Sequence, residues 1–478
     1  MAYFMGVDVG TTNIAVLVVN IRSGMVKAVS IAANKSEVTD EKGKILGRSE
    51  WDAEKATELT LQAIAKTASK INSQKIRAIG VTGQMHGTVL VSHDKSPLTP
   101  FIGWQDLRCN EIMPGTSISY IDCMLELAGR DGFKREGCRP STGYMGSTLF
   151  WLKKNDALPE EPATACFLPD YVVMRMTDHE PVTDPTNAGS SGIFDIISRS
   201  WDHDLIQRLG LQEISLPEVR RSGEIIGGLT AEASRKTGLP QGTPVSVACG
   251  DNQASFLGSV ADRRSCVLVN IGTGGQVSMW IPKYIESENA ETRCYLDESY
   301  LLVGADTCGG ASYALLHRFF LDVGRAFFGA KGNENLYDEM TRQAAKVSSG
   351  AEGLRCEPFF SGSRLNPNRR AVWLGMNESN FTPGHMARAL LEGVASHFKS
   401  IYDGMLKSGV SPRTCLVGSG NGIRKNELLA KIFSAAFNMP IKIPLNREEA
   451  AFGAALLAAI GCGELDFEEA SHLIKYKK

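Results

Sequence analysis

Three glycine-rich turns each follow an apolar run: Asp8-Val-Gly-Thr-Thr12, Gly272-Thr-Gly-Gly275 and Gly418-Ser-Gly-Asn-Gly422. None is a P-loop, because no Lys-Ser/Thr follows, and none reads G-x-G-x-x-G. Each can still present backbone N–H groups and hydroxyls to phosphate oxygens, as anion-binding nests do. Taken singly, each reads more readily as a structural turn. Three of them on two similar halves point to a nucleotide held between domains. Asp8 stands beside the first turn, where a carboxylate could hold a hydrated Mg²⁺. Asp251 follows Val245-Ser-Val-Ala-Cys-Gly250 and has the amides Asn252 and Gln253 behind it. That setting suits a general base facing a polyhydroxylated ligand. The same aspartate also reads as the N-cap of a helix over 253–257. A further stretch, Ile79 to Leu90, sets Gln84, Met85 and His86 between Gly83 and Gly87, which allow a close backbone approach. A plain hairpin would need only turn residues there. Alone, His86 reads as a satisfied structural histidine.

These residues need strands to end where they begin. Tyr3 to Val19 reads as a hairpin around a Gly-Thr-Thr turn, and Cys266 to Trp280 repeats the plan around Ile-Gly-Thr-Gly-Gly. Two copies half a chain apart hint at a duplicated architecture, or are two unrelated hairpins. Amphipathic spacing predicts helices over 50–71, 312–320, 382–399, 426–437 and 448–460, with Thr382-Pro383 a good start signal. Strands are predicted over 78–81, 245–249 and 413–417. Residues 91–240 read as insertions that carry substrate contacts. The turn formers Gly238 to Pro244 suggest a boundary between a first domain, 1–243, and a second, 244–478. Alternating strands and helices imply α/β layers.

Composition narrows the partners. At 478 residues the chain exceeds one ordinary core, and 43% hydrophobic with 22% charged residues is a globular composition. A formal net charge of −2 speaks against a broad footprint for nucleic acid or an anionic membrane. The eleven cysteines show no CxxC pair or regular spacing, so free thiols in a reducing compartment are expected. No apolar run approaches a membrane span, and the start of the chain does not read as a signal peptide, so a cytoplasmic protein is expected.

The stretches GVDVGTTN, GQMHG, WQDLRC, GDNQA, NIGTGG and GSGNG, with Ala371 to Glu392, resemble the FGGY family of carbohydrate kinases in order and spacing over nearly the whole chain. The resemblance implies a duplicated actin-like, ribonuclease-H-like fold with a cleft for ATP and a sugar. Position by position, Asp8 matches the metal-associated aspartate, and Thr11 and Thr12 the first phosphate loop. Gly272 and Thr273 match the second phosphate loop. Gly310, Gly420, Asn421 and Asn426 fall where the family holds adenosine, and Asp251 matches the catalytic base. Gln84, Met85 and His86 would line the floor of the sugar pocket, with Trp104, Asp106 and Asn252 as further substrate contacts. ATP and Mg²⁺ are the implied cofactors, a ketose the partner, and a homodimer the assembly often found in the family.

Within the family, GQMHG is typical of the xylulose and sedoheptulose branches, and Gln105 in WQDLRC resembles sedoheptulokinases. Thr148 stands where the N-terminal signature has a Lys, which sedoheptulokinases also tend to lack. The expected reaction is sedoheptulose to sedoheptulose 7-phosphate, with D-xylulose as the alternative substrate. An actin-like ATP-binding regulator and a sugar-binding protein without catalysis are the competing classes. The polyol-type loop argues against the first, and the three phosphate-type turns against the second.

Overall fold

The computed structural model describes residues 2–477 except 130, 289, 331–334, 364, 365 and 367. Its first sheet has seven strands. Three run antiparallel in sequence: β1 (Tyr3–Val9), β2 (Asn13–Asn20) and β3 (Met25–Ala33). Helix α1 (Ala53–Ala68) then crosses to β4 (Ile76–Gly83), which lies parallel to β1. Asp52 caps α1 by accepting from the N–H of Lys55. The helix predicted from residue 50 therefore starts at Ala53, because Glu50 and Trp51 pair as a strand with Ile102 and Phe101. Helix α2 (Leu168–Thr177) packs near the far edge, where β5 (Ile225–Gly228) pairs antiparallel with β6 (Pro244–Ser246). β6 and β7 (Cys249–Gly250) both run parallel to β4. Helix α3 (Asp251–Ser259) follows directly.

The second sheet repeats this plan. The hairpin β8 (Cys266–Ile271) and β9 (Gly275–Ile281) stands for β1 and β2. β10 (Glu291–Cys294) pairs with β11 (Tyr300–Asp306), and β11 pairs antiparallel with β9 as β3 does with β2. After α4 (Gly310–Phe328) and α5 (Pro383–Lys407), β12 (Cys415–Ser419) lies parallel to β8 as β4 does to β1. A short α6 (Gly420–Lys425), α7 (Glu427–Phe437), β13 (Ile441–Lys442) and α8 (Glu449–Gly461) complete this part. Duplication is thus a matter of strand order and direction, and the two similar hairpins are related.

Two expectations change. The boundary at 243/244 does not coincide with a sheet boundary, since β6 and β7 belong to the first sheet. The Gly238–Pro244 run is the turn between α/β elements of one layer, and glycine and proline mark a turn wherever it lies. In addition, α8 returns from the end of the chain to the first sheet. Backbone meets backbone there: a Cβ on Gly6 of β1 would lie 1.7 Å from the carbonyl oxygen of Ala451, and one on Gly80 of β4 2.0 Å from that of Ala454. Glycine in the strands and alanine in the helix permit this close approach. A buried cluster consequently runs through Phe4, Ala78, Phe256, Leu268, Val417 and Leu456, joining residues of both sheets. The eleven cysteines are free thiols. Among the described residues no helix is long and apolar enough to cross a membrane.

Candidate active site

Register places the chemistry. Val9 of β1 faces Gly83 of β4, and Gly83 faces Gly250 of β7, all three strands running parallel. Their next residues, Gly10, Gln84 and Asp251, therefore leave the sheet together at its carboxyl edge, where ligands of open α/β sheets bind. The second sheet does the same with β8 and β12: Asn270 faces Ser419, and Gly272 and Gly420 follow. Asp8 and Asn270 hold equivalent register positions, each one residue before its strand's end.

Asp251 is the first residue of α3 and not its cap, which is Gly250. Burial pushes its carboxyl up to about 6, opposed by the backbone N–H of Asn252 and the charge of Arg293. Asp8 goes further, to about 8, through burial and then the neighbouring carboxylates of Asp251, Glu448 and Glu449. Oδ1 of Asp8 is buried and has no hydrogen-bond partner. A lone oxygen among acids is an environment that a divalent cation relieves, so these residues fit Mg²⁺. Glu448 and Glu449 were not singled out in the sequence. Their signal is an acidic pair at the start of an alanine-rich helix, which also reads as ordinary helix-dipole compensation. Glu449 is held by Arg424 of α6, whose Nε lies 2.9 Å away.

The Gln84–His86 loop is tightly built. The Thr11 hydroxyl donates to Oε1 of Gln84 (3.2 Å), and Nε1 of Trp104 donates to the same hydroxyl (3.1 Å). The first glycine turn, the loop and Trp104, itself 46% exposed, thus form one connected wall. Nε2 of Gln84 is buried without a partner. Met85 packs against Gly250, where a Cβ would come within 2.8 Å of its sulfur. His86 takes φ +76° and stacks on Tyr144 at 4.2 Å. Its Nδ1–H donates to the carbonyl of Ser190 (2.9 Å), which fixes the plane of the ring. The bracketing glycines serve packing against protein: a Cβ on Gly83 would meet the carbonyl oxygen of Val9 at 2.7 Å, and one on Gly87 that of Ile102 at 2.4 Å. The chain after Gly87 enters a short strand paired with 164–166, so no hairpin forms with β4.

Other expected residues divide. Asn252 is buried, donates to Ser278 on β9 (3.4 Å) and keeps an unpartnered Oδ1 beside Asp251. Asp106 is held by protein groups. It is fully buried, and its oxygens accept from Arg108 Nε (2.8 Å), Arg108 Nη2 (2.9 Å) and the N–H of Ser49 (2.8 Å). Its carboxylate is thereby committed to Arg108 and Ser49. Its neighbour Gln105 is exposed and lines a cavity of about 410 Å³ with Thr11, Thr12, Asn34, Arg48 and Ser49.

Around the second turn, Gly272 and Thr273 are exposed, with open space above Gly272. The N–H of Gly310 donates to the carbonyl of Gly272, and that of Ala311 to Thr273, both at 2.9 Å. Gly420, at φ +79°, sits so close to Ile271 that a Cβ would lie 2.4 Å from its carbonyl oxygen. Gly272, Thr273, Gly310 and Gly420 are therefore brought together, and Asn421 is exposed next to them. Asn426 is occupied otherwise. Its Oδ1 caps α7 by accepting from Leu429 (3.0 Å), and its Nδ2 donates to Thr341 (3.3 Å).

Similarity to known proteins agrees with this geometry. The model of the N-terminal domain of the FGGY family of carbohydrate kinases matches residues 3–258, and that of the C-terminal domain matches residues 267–462. A xylulose kinase of Staphylococcus xylosus is 26% identical, over 96% of this chain and 91% of the relative. A sedoheptulokinase of Mus musculus is 27% identical, over 95% of this chain and 96% of the relative. The crystal structure of xylulose kinase from Rhodospirillum rubrum superposes with a TM-score of 0.84 at 25% identity, over 100% of this chain and 93% of that one. With both domain models matched in order, the chain belongs to the FGGY family of carbohydrate kinases, and it is a sugar phosphotransferase.

Proposed function

We propose that the enzyme transfers the γ-phosphoryl group of ATP to the terminal primary hydroxyl of a ketose, with Asp251 as general base. The observation that carries this reading is a group of buried polar atoms without partners around Asp251: Oδ1 of Asp8, Nε2 of Gln84 and Oδ1 of Asn252. Leaving such atoms unpaired costs about 1–3 kcal/mol each. A polyhydroxylated ligand and a cation supply partners to all three. In this reading Asp251 accepts the proton of the hydroxyl that attacks. Gln84 and Asn252 orient the sugar by hydrogen bonds, the His86 ring borders it, and Met85 and Trp104 cover carbon. Thr11, Thr12, Gly272 and Thr273 hold the phosphates, while Gly310, Gly420 and Asn421 border the nucleoside. Mg²⁺ held at Asp8 would neutralise charge that develops on the transferring phosphoryl group.

Sedoheptulose is the substrate proposed, giving sedoheptulose 7-phosphate. GQMHG, Gln105 and Thr148 support it by resemblance, and exposed Gln105 at the edge of a cavity suits a long acceptor. D-Xylulose is the second reading, favoured by relatives named xylulose kinase that span the chain. Comparing kcat/KM for sedoheptulose, D-xylulose, D-ribulose and glycerol decides between them. Sedoheptulose should be used best, and His86→Ala should depress kcat/KM for it while sparing ATP binding. D-Xylulose preferred by about tenfold, a difference of about 1.4 kcal/mol in transition-state binding, would make the enzyme a xylulokinase. ADP release independent of any sugar would refute the kinase mechanism itself.

A further inference from the structure

Asp306 at the end of β11, Cys308 two residues later and His397 on α5 bring a carboxylate oxygen, a thiol and an imidazole nitrogen within 4.8 Å of one another. We propose that this trio binds Zn²⁺, or a divalent cation of the same borderline-soft character, at a site distinct from the Mg²⁺ position at Asp8. The proposal does not depend on which sugar the enzyme phosphorylates.

The donor set is the first argument. Sulfur, imidazole nitrogen and carboxylate oxygen are the three ligand types zinc takes, whereas Mg²⁺ prefers oxygen alone. Three protein ligands leave one tetrahedral position for water. Cys308 is buried while Asp306 and His397 are half-buried, so the cluster has a closed side and an open one. Oδ2 of Asp306 already lies 2.8 Å from Nε2 of His397. A hydrogen bond holds that pair in the metal-free protein, and a dication would take its place, with the thiol proton released on binding.

Outer contacts orient the ligands, as at metal centres generally. Oδ1 of Asp306 accepts from the N–H of Thr307 (2.7 Å), and the His397 ring meets the Phe359 ring edge to face at 4.9 Å. The trio also has a place in the architecture. Asp306 pairs with Gly275, and Gly309 sits against Gly274, where a Cβ would lie 2.5 Å from the carbonyl oxygen. Residues 306–311 thus close over the second glycine turn. A cation on Asp306, Cys308 and His397 ties that segment to the long helix α5 and stiffens the turn that the phosphates would meet.

The test uses the full-length enzyme, freed of metal by chelation and titrated with ZnCl₂ and separately with CoCl₂. The expected result is about one equivalent bound per chain, a thiolate-to-cobalt charge-transfer band, and a higher melting temperature with zinc. Cys308→Ser should abolish the band and weaken zinc binding at least about tenfold; His397→Gln should weaken it to a similar degree and keep the band at saturating cobalt. Melting curves of the metal-free variants report whether each is folded, and either one that folds carries the test. Failure of the wild type to take up zinc, or a cobalt spectrum and zinc affinity unchanged in Cys308→Ser, would overturn the proposal. Kinase activity with Mg²⁺ in the metal-free wild type reports on the proposed reaction separately.

Discussion

Lowering the pH through 6 should protonate Asp251 and halt phosphoryl transfer while the protein stays folded. Burial raises this carboxyl to about 6, although the N–H of Asn252 and the charge of Arg293 both favour the anion. Only the anion can take a proton from a hydroxyl, so activity holds above that value and falls below it. One pH unit below the midpoint, about one-tenth of a single base is ionised, so kcat/KM should drop ~10-fold from its plateau. The stability sign runs the other way. A carboxyl whose folded pKa is raised binds more protons in the folded state, so between 3.8 and about 6 this group favours folding more as pH falls. Loss of activity in that window is therefore not unfolding caused by Asp251, and near-UV circular dichroism at each pH checks this. Asp251→Asn should lower kcat by about 10²-fold or more with sugar and ATP affinity roughly intact, and its residual rate should lack the inflection. Arg293→Gln should move the inflection to higher pH, because it removes a charge that favours the anion. A profile flat through 6, or an Asn variant within about fivefold of wild type, refutes Asp251 as the base.

Asp8→Asn should abolish phosphoryl transfer yet raise the melting temperature of the metal-free protein by a few degrees near neutral pH, since it relieves a carboxyl pushed to about 8 by burial and three acidic neighbours. Mg²⁺ should raise the melting temperature of the wild type only; a variant still stabilised by Mg²⁺ removes Asp8 from the metal site. Asp106→Asn should cost about 3 kcal/mol in urea unfolding, because Arg108 loses its buried partner, with KM for the sugar nearly unchanged. Normal stability with a large rise in KM would return Asp106 to the substrate pocket.

The parts of the fold that depend on near neighbours are legible in the amino-acid order. Apolar runs ending in Gly-Thr located β1, β2, β8 and β9, and Thr382-Pro383 located the start of α5. Strand ends next to glycine turns also marked Asp8 and Asp251 as candidates, although for Asp251 a helix N-cap reads equally well from local pattern. What a side chain faces is not local, and only the folded chain reveals it. Asp106 and Asn252 are both short polar residues in motif stretches. Arg108 and Ser49 consume the first, while the second keeps an oxygen open beside Asp251. Asn426 matches a nucleoside contact only by resemblance, and its side chain also caps α7, a partner that the fold alone reveals. Likewise the turn at 238–244 has the composition of a linker, but parallel pairing of Val245 with Ile79 keeps it within one sheet. The deepest case is α8. Nothing near residues 449–461 says that they pack on β1, at the opposite end of the chain; Gly6 and Gly80 admit that helix only because no Cβ stands in its way. That contact carries Glu448 and Glu449 to Asp8, and so sets the charge of the site.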